Sequence, residues 1–553
     1  RDRFVLSNGH GSMLLYSLLH LTGYDLSMEE IKSFRQLGSK TPGHPEFGVT
    51  PGVETTTGPL GQGIANAVGM AIAEKLLSEN FNKEDFTVIN HFTYVFCGDG
   101  CLMEGISHEA CSLAGTLKLG KLIVVYDDND ISIDGEVSGW FTEDIPKRFE
   151  SYGWNVISNV DGHASNQINK AFEQAKENLD QPTIICCKTK IGKGSPNKAG
   201  TASAHGIPLG EEEITLTRKE LAWEHPAFVI PDEIYSGWDA KEIGTSREED
   251  WNKSFKNYEQ KYPDLASELN RTLSRGLPDN FLDQMDKFIN DLQENQEDIA
   301  SRKSSELVLN FLGPLLPELI GGSADLSDSN NTRWTGTKAI NETETGGNYL
   351  YYGVREFAMT AIVNGLVLHG GVRPYAGTFL TFLDYARNAV RLSALMQIPS
   401  IFIYSHDSIG VGEDGPTHQP VEHLMACRAI PDLMVFRPAD ANEVSIAAKL
   451  ALEYSDKASI ILLTRQKLPV LDRNKYTHFN DFEKGAYIIS DYDGENPEIS
   501  IFASGSEVSL ALDVKEVLKE QFNIRVVNFG CWELFDMQSE EYRSNIIHDS
   551  SFK

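Results

Sequence analysis

The sequence predicts an α/β fold with two doubly wound parallel-sheet domains and part of a third α/β domain. The first observation is an alternation of strand-like and helix-like patterns between His91 and Lys188, which is typical of parallel sheets with crossover helices. The second is that a similar series begins near Arg302. The third is a shorter strand, helix and strand pattern that begins near Glu498.

Length and composition describe a large, acidic, folded protein. A chain of 553 residues exceeds what one hydrophobic core supports, so we expect about two to four domains. The net charge of −31 argues against a nucleic-acid partner, because most of the surface repels phosphate backbones. No run of about 18 apolar residues predicts a membrane span. The seven cysteines lack metal-binding spacing and indicate reduced thiols in a cytoplasmic protein.

The first domain opens with glycine- and proline-rich turns that carry polar residues. Leu6 to His10 leads into an apolar helix, and His44 lies in a loop whose prolines exclude a helix. A further turn, Thr57 to Leu60, leads into a helix from Ile64 to Leu77 that is rich in alanine and glycine. Small residues at these positions predict close helix packing.

The stretch from Tyr94 to Asp134 predicts a metal and diphosphate site. One apolar run ends at Gly98-Asp99-Gly100, and the next ends at Asp127-Asp128-Asn129. Carboxyl ends of parallel strands meet at one edge of a sheet, where glycine turns let backbone amides approach a phosphate. Carboxylate and amide oxygens suit Mg²⁺ bound with a diphosphate, and Ca²⁺ suits the same ligand type. Taken alone, Gly-Asp-Gly is also common in ordinary turns.

Composition changes along the chain predict the domain boundaries. Charged amphipathic helices from about Glu211 to Ile299 are expected to form a long connector on the surface of the first domain. We place the domains at residues 1–265, 301–484 and 485–553, with the connector at 266–300. The chain begins with Arg1 rather than Met, and the third domain is too short to close a sheet. We therefore expect both ends to be incomplete.

Loop histidines form a second group of candidates. Loops contribute little packing and carry much function. Each histidine alone is more often a structural hydrogen-bonding group, and none has the spacing of a zinc site. Together they suit hydrogen bonding to a polyhydroxylated or phosphorylated ligand, or proton transfer. The five histidines in glycine- or proline-rich turns are His10, His44, His205, His406 and His418.

Other candidates lie in the second domain. Arg302, Arg465 and Ser329 suit a substrate phosphate, because guanidinium groups match phosphate geometry, although surface salt bridges are the simpler reading of each arginine. Glu356 begins an apolar helix, where a carboxylate also favours the helix dipole. Three aromatic residues after a predicted strand suit a ring-binding pocket, with core packing as the alternative. They are Phe379, Phe382 and Tyr385.

These motifs together resemble the transketolase family, in its bacterial and yeast type, over nearly the whole chain. The segment from Ser405-His406-Asp407 through Gly412-Glu413-Asp414-Gly415-Pro416-Thr417-His418 is long enough to be specific without the others. The resemblance implies a thiamine diphosphate-dependent enzyme with a pyrophosphate-binding first domain, a pyrimidine-binding second domain and a C-terminal domain. It also implies a homodimer with the cofactor between subunits. A family segment, Ser-Gly-His-Pro-Gly, would precede Arg1 and is absent.

The resemblance assigns a role to each candidate. It makes Asp99, Asn129 and the carbonyl of Ile131 the metal ligands, and it places Glu356 of one subunit at the aminopyrimidine ring bound by the other. Acidic residues near the dimer interface would be Glu104 and Asp325. The implied cofactor-binding residues are His10, Gly58, Leu60, Gly98, Asp99, Gly100, Asn129, His205, Asp325, Glu356, Phe379, Phe382 and Tyr385. The implied substrate-binding residues are His44, His205, Arg302, Ser329, His406, Asp414, His418 and Arg465. The implied catalytic residues are Glu356, His418, His44, His205 and His10.

The resemblance also implies the reaction. Cleaving a sugar carbon–carbon bond beside a carbonyl leaves a carbanion that amino-acid side chains stabilise poorly and a thiazolium ring stabilises well. We expect a ketose phosphate such as xylulose 5-phosphate to give a two-carbon ketol group to ribose 5-phosphate or erythrose 4-phosphate, in the pentose phosphate pathway. The alternatives are a dihydroxyacetone synthase, which uses formaldehyde as acceptor, and a non-catalytic binding protein on the same fold.

Overall fold

The computed structural model describes residues 1–295, 297–343, 346–492, 494 and 497–547. Residues 548–553, at the end of the predicted partial third domain, lie outside the described residues. The chain divides into two compact units. Unit 1 contains Arg1–Asn270 with Asn341–Gly346, and unit 2 contains Arg271–Ile340 with Gly347–Lys553.

Unit 1 is organised around a parallel sheet with the strand order β1-β2-β3-β7-β6. β4 and β5 form a small antiparallel pair beside it. The strands are β1 Arg3–Leu6, β2 Thr93–Gly98, β3 Leu122–Asp128, β4 Ile131–Ser132, β5 Gly135–Glu136, β6 Asn155–Asp161 and β7 Thr183–Lys188. The helices are α1 Ser12–Thr22, α2 Met28–Lys32, α3 Gln62–Phe81, α4 Asp99–Met103, α5 Gly105–Thr116, α6 Ile145–Ser151, α7 Ser165–Glu177, α8 Glu211–Glu220, α9 Asp232–Trp238, α10 Lys241–Lys261 and α11 Pro263–Leu273.

The sequence of each central element in unit 1 explains its position. β3 begins Leu-Ile-Val-Val-Tyr, a β-branched and aromatic run that favours a strand covered on both faces. α3 is buried from Gln62 to Glu74, as expected for a helix without a polar face. Its Gly63 approaches the residue after β1 so closely that a side chain there would lie 2.8 Å from the Cα of Ser7. The small residues of α3 therefore bring this helix against the sheet.

Unit 2 contains a larger parallel sheet with the order β10-β9-β11-β12-β14-β13, and a small mixed sheet, β16-β18-β17. The strands are β8 Ile299–Ala300, β9 Leu319–Ser323, β10 Tyr349–Tyr351, β11 Arg373–Phe379, β12 Ile401–Ser405, β13 Leu433–Phe436, β14 Ala458–Leu463, β15 Lys467–Leu468, β16 Ala486–Ser490, β17 Ile499–Ala503 and β18 Ile524–Phe529. The helices are α12 Phe281–Asn295, α13 Ser301–Leu315, α14 Ser327–Asn330, α15 Glu356–His369, α16 Leu383–Leu395, α17 His423–Arg428, α18 Ala441–Glu453, α19 Glu507–Leu518, α20 Trp532–Asp536 and α21 Glu540–Ile546.

The α/β class with parallel sheets is confirmed. The structure adds the strands β1 and β10, which were not predicted, and two further details differ from the sequence expectation. α12 was expected on the surface of the first domain, but its apolar stripe Phe281, Met285 and Ile289 is buried in the core of unit 2. The i, i+4, i+8 spacing puts these side chains on one helix face, which that core covers. The small mixed sheet also gains β16, which pairs antiparallel with β18 and was not predicted. No helix in the described part of the chain is long and apolar enough to cross a membrane.

Candidate active site

Asp99 lies at the carboxyl end of β2, where the chain turns into α4. Its side chain is buried, and Tyr126 of β3 donates a hydrogen bond to its Oδ1 at 2.5 Å. Burial raises the pKa of Asp99 to about 6, while the Tyr126 hydrogen bond opposes that shift and Asp128, Asp130 and Asp127 add to it. A bound cation would stabilise this charged carboxylate, because it would offset both the loss of hydration and the repulsion from the neighbouring acids.

The loop after β3 brings the amide of Asn129 to the same edge of the sheet. Asn129 Nδ2 donates to Asp127 Oδ2 at 3.0 Å, and Asn129 Oδ1 accepts from the backbone amide of Ile131 at 3.0 Å. Thr189 donates a short hydrogen bond to Asp127, so this loop is tied to the loop after β7. The sequence alone did not single out Tyr126 or Thr189, because these contacts join residues 27 and 62 positions apart.

The donor set fits a divalent metal that shares its shell with a diphosphate. Among the described residues, no cluster of three or more His, Cys, Asp or Glu side chains could hold a metal by itself. One carboxylate, one amide oxygen and a backbone carbonyl leave ligand positions for phosphate oxygens. Mg²⁺ prefers this arrangement, since it usually has few protein ligands beside substrate phosphates.

Glycines shape a cradle beside Asp99. A side chain at Gly9 would lie 2.7 Å from Thr57 Oγ1 and 2.9 Å from the backbone nitrogen of Gly58. Gly58 has φ +146, a conformation that other residues rarely adopt. A side chain at Gly100 would lie 2.8 Å from Leu60 Cδ1, so Leu60 contacts the first turn of α4. The turns that the sequence marked are therefore joined in space by close backbone approach.

Histidines line the same region of unit 1. The rings of His10 and His205 stack with centroids 4.8 Å apart. Loss of water contact lowers the pKa of each ring. The pKa of His10 is lowered further because a charge on its ring would be repelled by His205 and His44. The pKa of His44 is also lowered, first by desolvation and then by Arg35. Neutral imidazoles offer both a donor and an acceptor, which suits contacts with phosphate and sugar hydroxyls.

Buried polar atoms without partners support a bound polar group in this cradle. His205 Nδ1, Thr57 Oγ1 and Asn8 Oδ1 have no hydrogen-bond partner among the described residues. Unpaired buried polar atoms cost free energy and are uncommon in native structures. The residues present therefore fit a diphosphate held with a metal ion.

Glu356 is the first residue of α15 in unit 2. Its side chain is buried, with 8% of the residue exposed. α15 is almost entirely apolar, and 13 of its described residues are buried. The positive end of the helix dipole favours a carboxylate at this position. The structure thus presents a fixed, largely dry carboxylate rather than a surface charge.

Aromatic rings follow the end of β11. Phe379 and Phe382 are nearly parallel, with centroids 6.0 Å apart, and Tyr385 lies 6.0 Å from Phe382. His418 contacts both phenylalanines edge-on, at 6.0 Å and 5.3 Å. Tyr385 is 64% exposed, although it lies beside these rings. The three predicted aromatic residues therefore form one surface that continues into His418.

The phosphate-site candidates line a cleft of about 360 Å³ in unit 2. Arg302 donates from Nη1 to the carbonyl of Ser329 at 2.5 Å, and Arg465 donates to the carbonyl of Val411 at 2.9 Å. Burial lowers the pKa of Arg302, and the charge of Arg465 lowers it further. Two guanidinium groups that repel each other across a cleft gain from an anion between them. The cleft is lined by Arg302, Asp328, Ser329, Phe379, His406, Asp414 and Arg465.

His406 is a histidine that lines the cleft, and its pKa is strongly shifted. Its ring stacks on Phe379 with centroids 3.7 Å apart, and only 3% of the residue is exposed. Burial lowers its pKa to about 4, and Arg302 and Arg465 contribute to the same shift. The imidazole is therefore neutral at neutral pH in the free protein. Asp328 also lines the cleft, and sequence reasoning missed it because an exposed aspartate near a helix start has no distinctive pattern.

Two acidic candidates lie apart from these contacts. Glu104 and Asp325 are both exposed in the single chain. Asp325 has φ +61, an uncommon conformation for a residue other than glycine. Their proposed burial near a dimer interface stays a prediction.

Comparison with known proteins agrees with the fold. Residues 1–278 match the transketolase, thiamine diphosphate binding domain; residues 297–470 match the transketolase, pyrimidine binding domain; and residues 485–553 match the transketolase-like C-terminal domain. Transketolase 2 of Vibrio vulnificus is 56% identical over 548 residues, covering 99% of this chain and 82% of the relative. The solved transketolase of Leishmania mexicana has a TM-score of 0.93 at 43% identity, covering 99% of this chain and 81% of that chain. A Pichia stipitis transketolase, solved in complex with sedoheptulose 7-phosphate, has a TM-score of 0.94 at 45% identity with the same coverage.

A thiamine diphosphate-binding domain followed by a pyrimidine-binding domain defines a thiamine diphosphate-dependent enzyme. The chain belongs to the transketolase family. Its activity is transketolase activity, the transfer of a two-carbon ketol group, with thiamine diphosphate and a divalent metal ion as cofactors. This activity is consistent with a role in the pentose phosphate pathway.

Proposed function

We propose that this transketolase takes its ketol group from a ketose phosphate such as xylulose 5-phosphate and gives it to ribose 5-phosphate or erythrose 4-phosphate. The single observation that carries this proposal is the cleft with Arg302 and Arg465, which suits a terminal phosphate. The Pichia stipitis relative was solved with a sugar phosphate, which supports the same class of substrate. Phosphate recognition at a fixed distance from the reacting carbons would also select sugar length.

We assign the metal and the diphosphate to unit 1. Asp99, Asn129 and the carbonyl of Ile131 would hold Mg²⁺ or Ca²⁺, while Gly98 and Gly100 let backbone amides approach the diphosphate. Further residues along the cofactor would be His10, Gly58, Leu60 and His205. When bound, the cofactor supplies an electron sink for the carbanion formed beside the sugar carbonyl.

We assign the pyrimidine end of the cofactor to unit 2. Glu356 would hold a proton on the pyrimidine ring nitrogen, and its burial keeps water from competing for that contact. Phe379, Phe382 and Tyr385 would pack against the same ring. His418 contacts two of these rings, which supports a place for it between the aromatic surface and a polar substrate.

The histidines account for proton transfer and binding at the sugar. His44, His205 and His418 would exchange hydrogen bonds or protons with substrate hydroxyls and the donor carbonyl, and Asp414 would bind a hydroxyl. Ser329 and His406 would complete the phosphate site between the two arginines. General acid or base groups of this kind typically contribute on the order of 10² to 10⁴ in rate.

A coupled assay tests the proposal directly. The holoenzyme with thiamine diphosphate and Mg²⁺ should convert xylulose 5-phosphate and ribose 5-phosphate, with the triose phosphate product followed by a dehydrogenase. Formaldehyde should be a much poorer acceptor than ribose 5-phosphate. No turnover with either aldose phosphate, or a preference for formaldehyde, would contradict the proposed substrates.

Replacing Arg302 by alanine should selectively lower the activity with phosphorylated donor sugars. The proposed contact of the guanidinium with the substrate is confined to the phosphate. We therefore expect kcat/KM for xylulose 5-phosphate to fall roughly 30-fold or more, while kcat/KM for unphosphorylated xylulose changes little. Steady-state kinetics with both ketoses checks the result. Arg247→Ala, which removes an exposed arginine of α10 in unit 1, is the matched control. Equal losses with both ketoses would remove Arg302 from the phosphate site.

We also propose a cytoplasmic homodimer whose active sites combine residues of two subunits. Seven buried cysteines without disulfides support a reducing compartment. Exposed apolar side chains lie near site residues in the sequence. Val354, near Glu356, is 73% exposed, and Ile409, near His406, is 66% exposed. Exposed apolar surface of this kind favours an interface. In such a dimer Asp99 of one subunit and Glu356 of the other would serve one cofactor.

A complementation experiment tests the shared site. Co-expressed Asp99→Ala and Glu356→Ala chains form heterodimers in which one site carries both defects and the other carries neither. With random pairing, we expect activity to recover to roughly a quarter of wild type. Asp99→Ala mixed with Asn129→Ala is the matched control, since both changes lie in the same half-site and every site keeps one defect. Recovery in the control, or none in the test pair, would contradict a site shared between subunits.

A further inference from the structure

His406 has a backbone conformation that needs support from its neighbours. Its φ is +60, in the left-handed region that residues other than glycine rarely occupy. Such conformations persist where the surrounding structure fixes them, and they cluster at binding sites. His406 lies between Ser405 and Asp407, and both neighbours are buried and tied to other elements.

A directional chain of buried hydrogen bonds holds the ring from the Ser405 side. Ser323 donates to the carbonyl of Gly377 at 3.0 Å, so its oxygen accepts from Asn330 Nδ2 at 3.2 Å. This orients Asn330 with its Oδ1 toward Ser405, which donates to it at 2.7 Å. Each hydroxyl has one proton, so Ser405 Oγ must accept from His406 Nδ1 at 2.8 Å. The ring therefore keeps a proton on Nδ1 and presents Nε2 to a ligand. A bound phosphate anion favours protonation of Nε2, which then donates to a phosphate oxygen.

A buried ion pair holds the backbone from the Asp407 side. Arg437 Nε donates to Asp407 Oδ2 at 2.9 Å, and the two side chains are only 7% and 1% exposed. Arg437 Nη1 also donates to the carbonyl of Ser504 at 2.7 Å and makes a short contact with Glu507. The same arginine is tied by its backbone to Gly530 and Gly505. One side chain thus connects the residue after His406 to the segment between β17 and α19.

We propose that Asn330 and Arg437 are positioning residues of the substrate-phosphate site, which hold the His406 imidazole against Phe379 and fix the nitrogen that it presents. Through Arg437, the segment Ser504–Glu507 of the C-terminal domain takes part in phosphate recognition. The inference rests on the proposed assignment of Arg302, Arg465 and His406 to the sugar phosphate. Neither Asn330 nor Arg437 lines the cleft, so both act through His406.

The test compares two ketoses in the holoenzyme. The measured quantity is the ratio of kcat/KM for xylulose 5-phosphate to kcat/KM for unphosphorylated xylulose. Asn330→Leu keeps a similar shape but ends the hydrogen-bond chain, and we expect it to lower the ratio about tenfold. Arg437→Lys keeps the charge but cannot reach Asp407, Ser504 and Glu507 together, and we expect a loss of about threefold to tenfold.

The decisive measurement repeats Asn330→Leu in a His406→Ala background. Residues that act through one imidazole lose their effect when it is absent, so we expect less than about a twofold further change. Glu318→Gln is the matched control, because it breaks a buried pair with Arg271 before β9, at the opposite end of this parallel sheet from His406. The control should leave the ratio unchanged even if it lowers the melting temperature.

The possible results distinguish a failure of the positioning role from a failure of the proposed phosphate site. An unchanged ratio in both Asn330→Leu and Arg437→Lys, or an equal fall with and without His406, overturns the positioning role. If Asn330→Leu does not fold, Arg437→Lys in the two backgrounds decides alone. If Arg302→Ala also leaves the ratio unchanged, the proposed phosphate site itself is wrong. If Arg302→Ala lowers the ratio and the two other variants do not, Arg302 binds the phosphate but Asn330 and Arg437 have no positioning role.

Discussion

Replacing Glu356 by alanine should lower kcat by on the order of 10² to 10⁴, while KM for the donor changes less than about threefold. The carboxylate is buried at the start of α15, where the helix dipole favours its charge and few water molecules compete for its hydrogen bonds. A group that acts on the cofactor rather than on the sugar affects turnover without weakening substrate binding. Steady-state kinetics at saturating thiamine diphosphate and Mg²⁺ checks both parameters.

The control for this variant is Glu540→Ala. Glu540 is also the first residue of a helix, α21, but it is exposed. Loss of an exposed helix-terminal carboxylate should cost stability by only about 0.3–1 kcal/mol and leave kcat unchanged. A Glu356→Ala enzyme with wild-type kcat would remove Glu356 from the mechanism. A parallel fall in both variants would point to loss of helix stability instead.

The sequence predicted the groups at strand ends better than the contacts that hold them. Asp99 and Asn129 follow apolar runs, and parallel sheets bring such ends to one edge, so their proximity followed from local pattern alone. The hydrogen bonds from Tyr126 and Thr189 to this edge depend on how three strands align. Strand register of this kind has no local signal in the sequence.

The same distinction applies to unit 2. His406 and Arg465 were identifiable because they lie in glycine-rich or strand-end segments. Asn330 and Arg437 looked like ordinary polar residues, and their importance depends on burial beside His406. α12 was misplaced for a related reason: an amphipathic pattern predicts that one face is buried but not which core covers it.

Replacing Asp99 by alanine should weaken the binding of thiamine diphosphate with Mg²⁺ by at least on the order of 100-fold. Asp99 is the buried carboxylate of the proposed metal site, and its pKa, raised to about 6 by burial, shows how strongly this site disfavours an uncompensated charge. A bound cation would remove that penalty, so cofactor and metal should bind together. Isothermal titration calorimetry of the full chain checks this, with and without EDTA.

Asp128→Ala is the control that distinguishes loss of a metal ligand from loss of a nearby negative charge. Asp128 belongs to the same acidic group but pairs with Lys188 Nζ at 2.8 Å, so its removal takes away one nearby charge without removing a proposed ligand. We expect its effect on cofactor affinity to stay below about fivefold, because Lys188 already offsets much of that charge. Equal losses in the two variants would mean that general acidity, rather than coordination by Asp99, holds the metal. Binding that survives both EDTA and Asp99→Ala would contradict the metal site altogether.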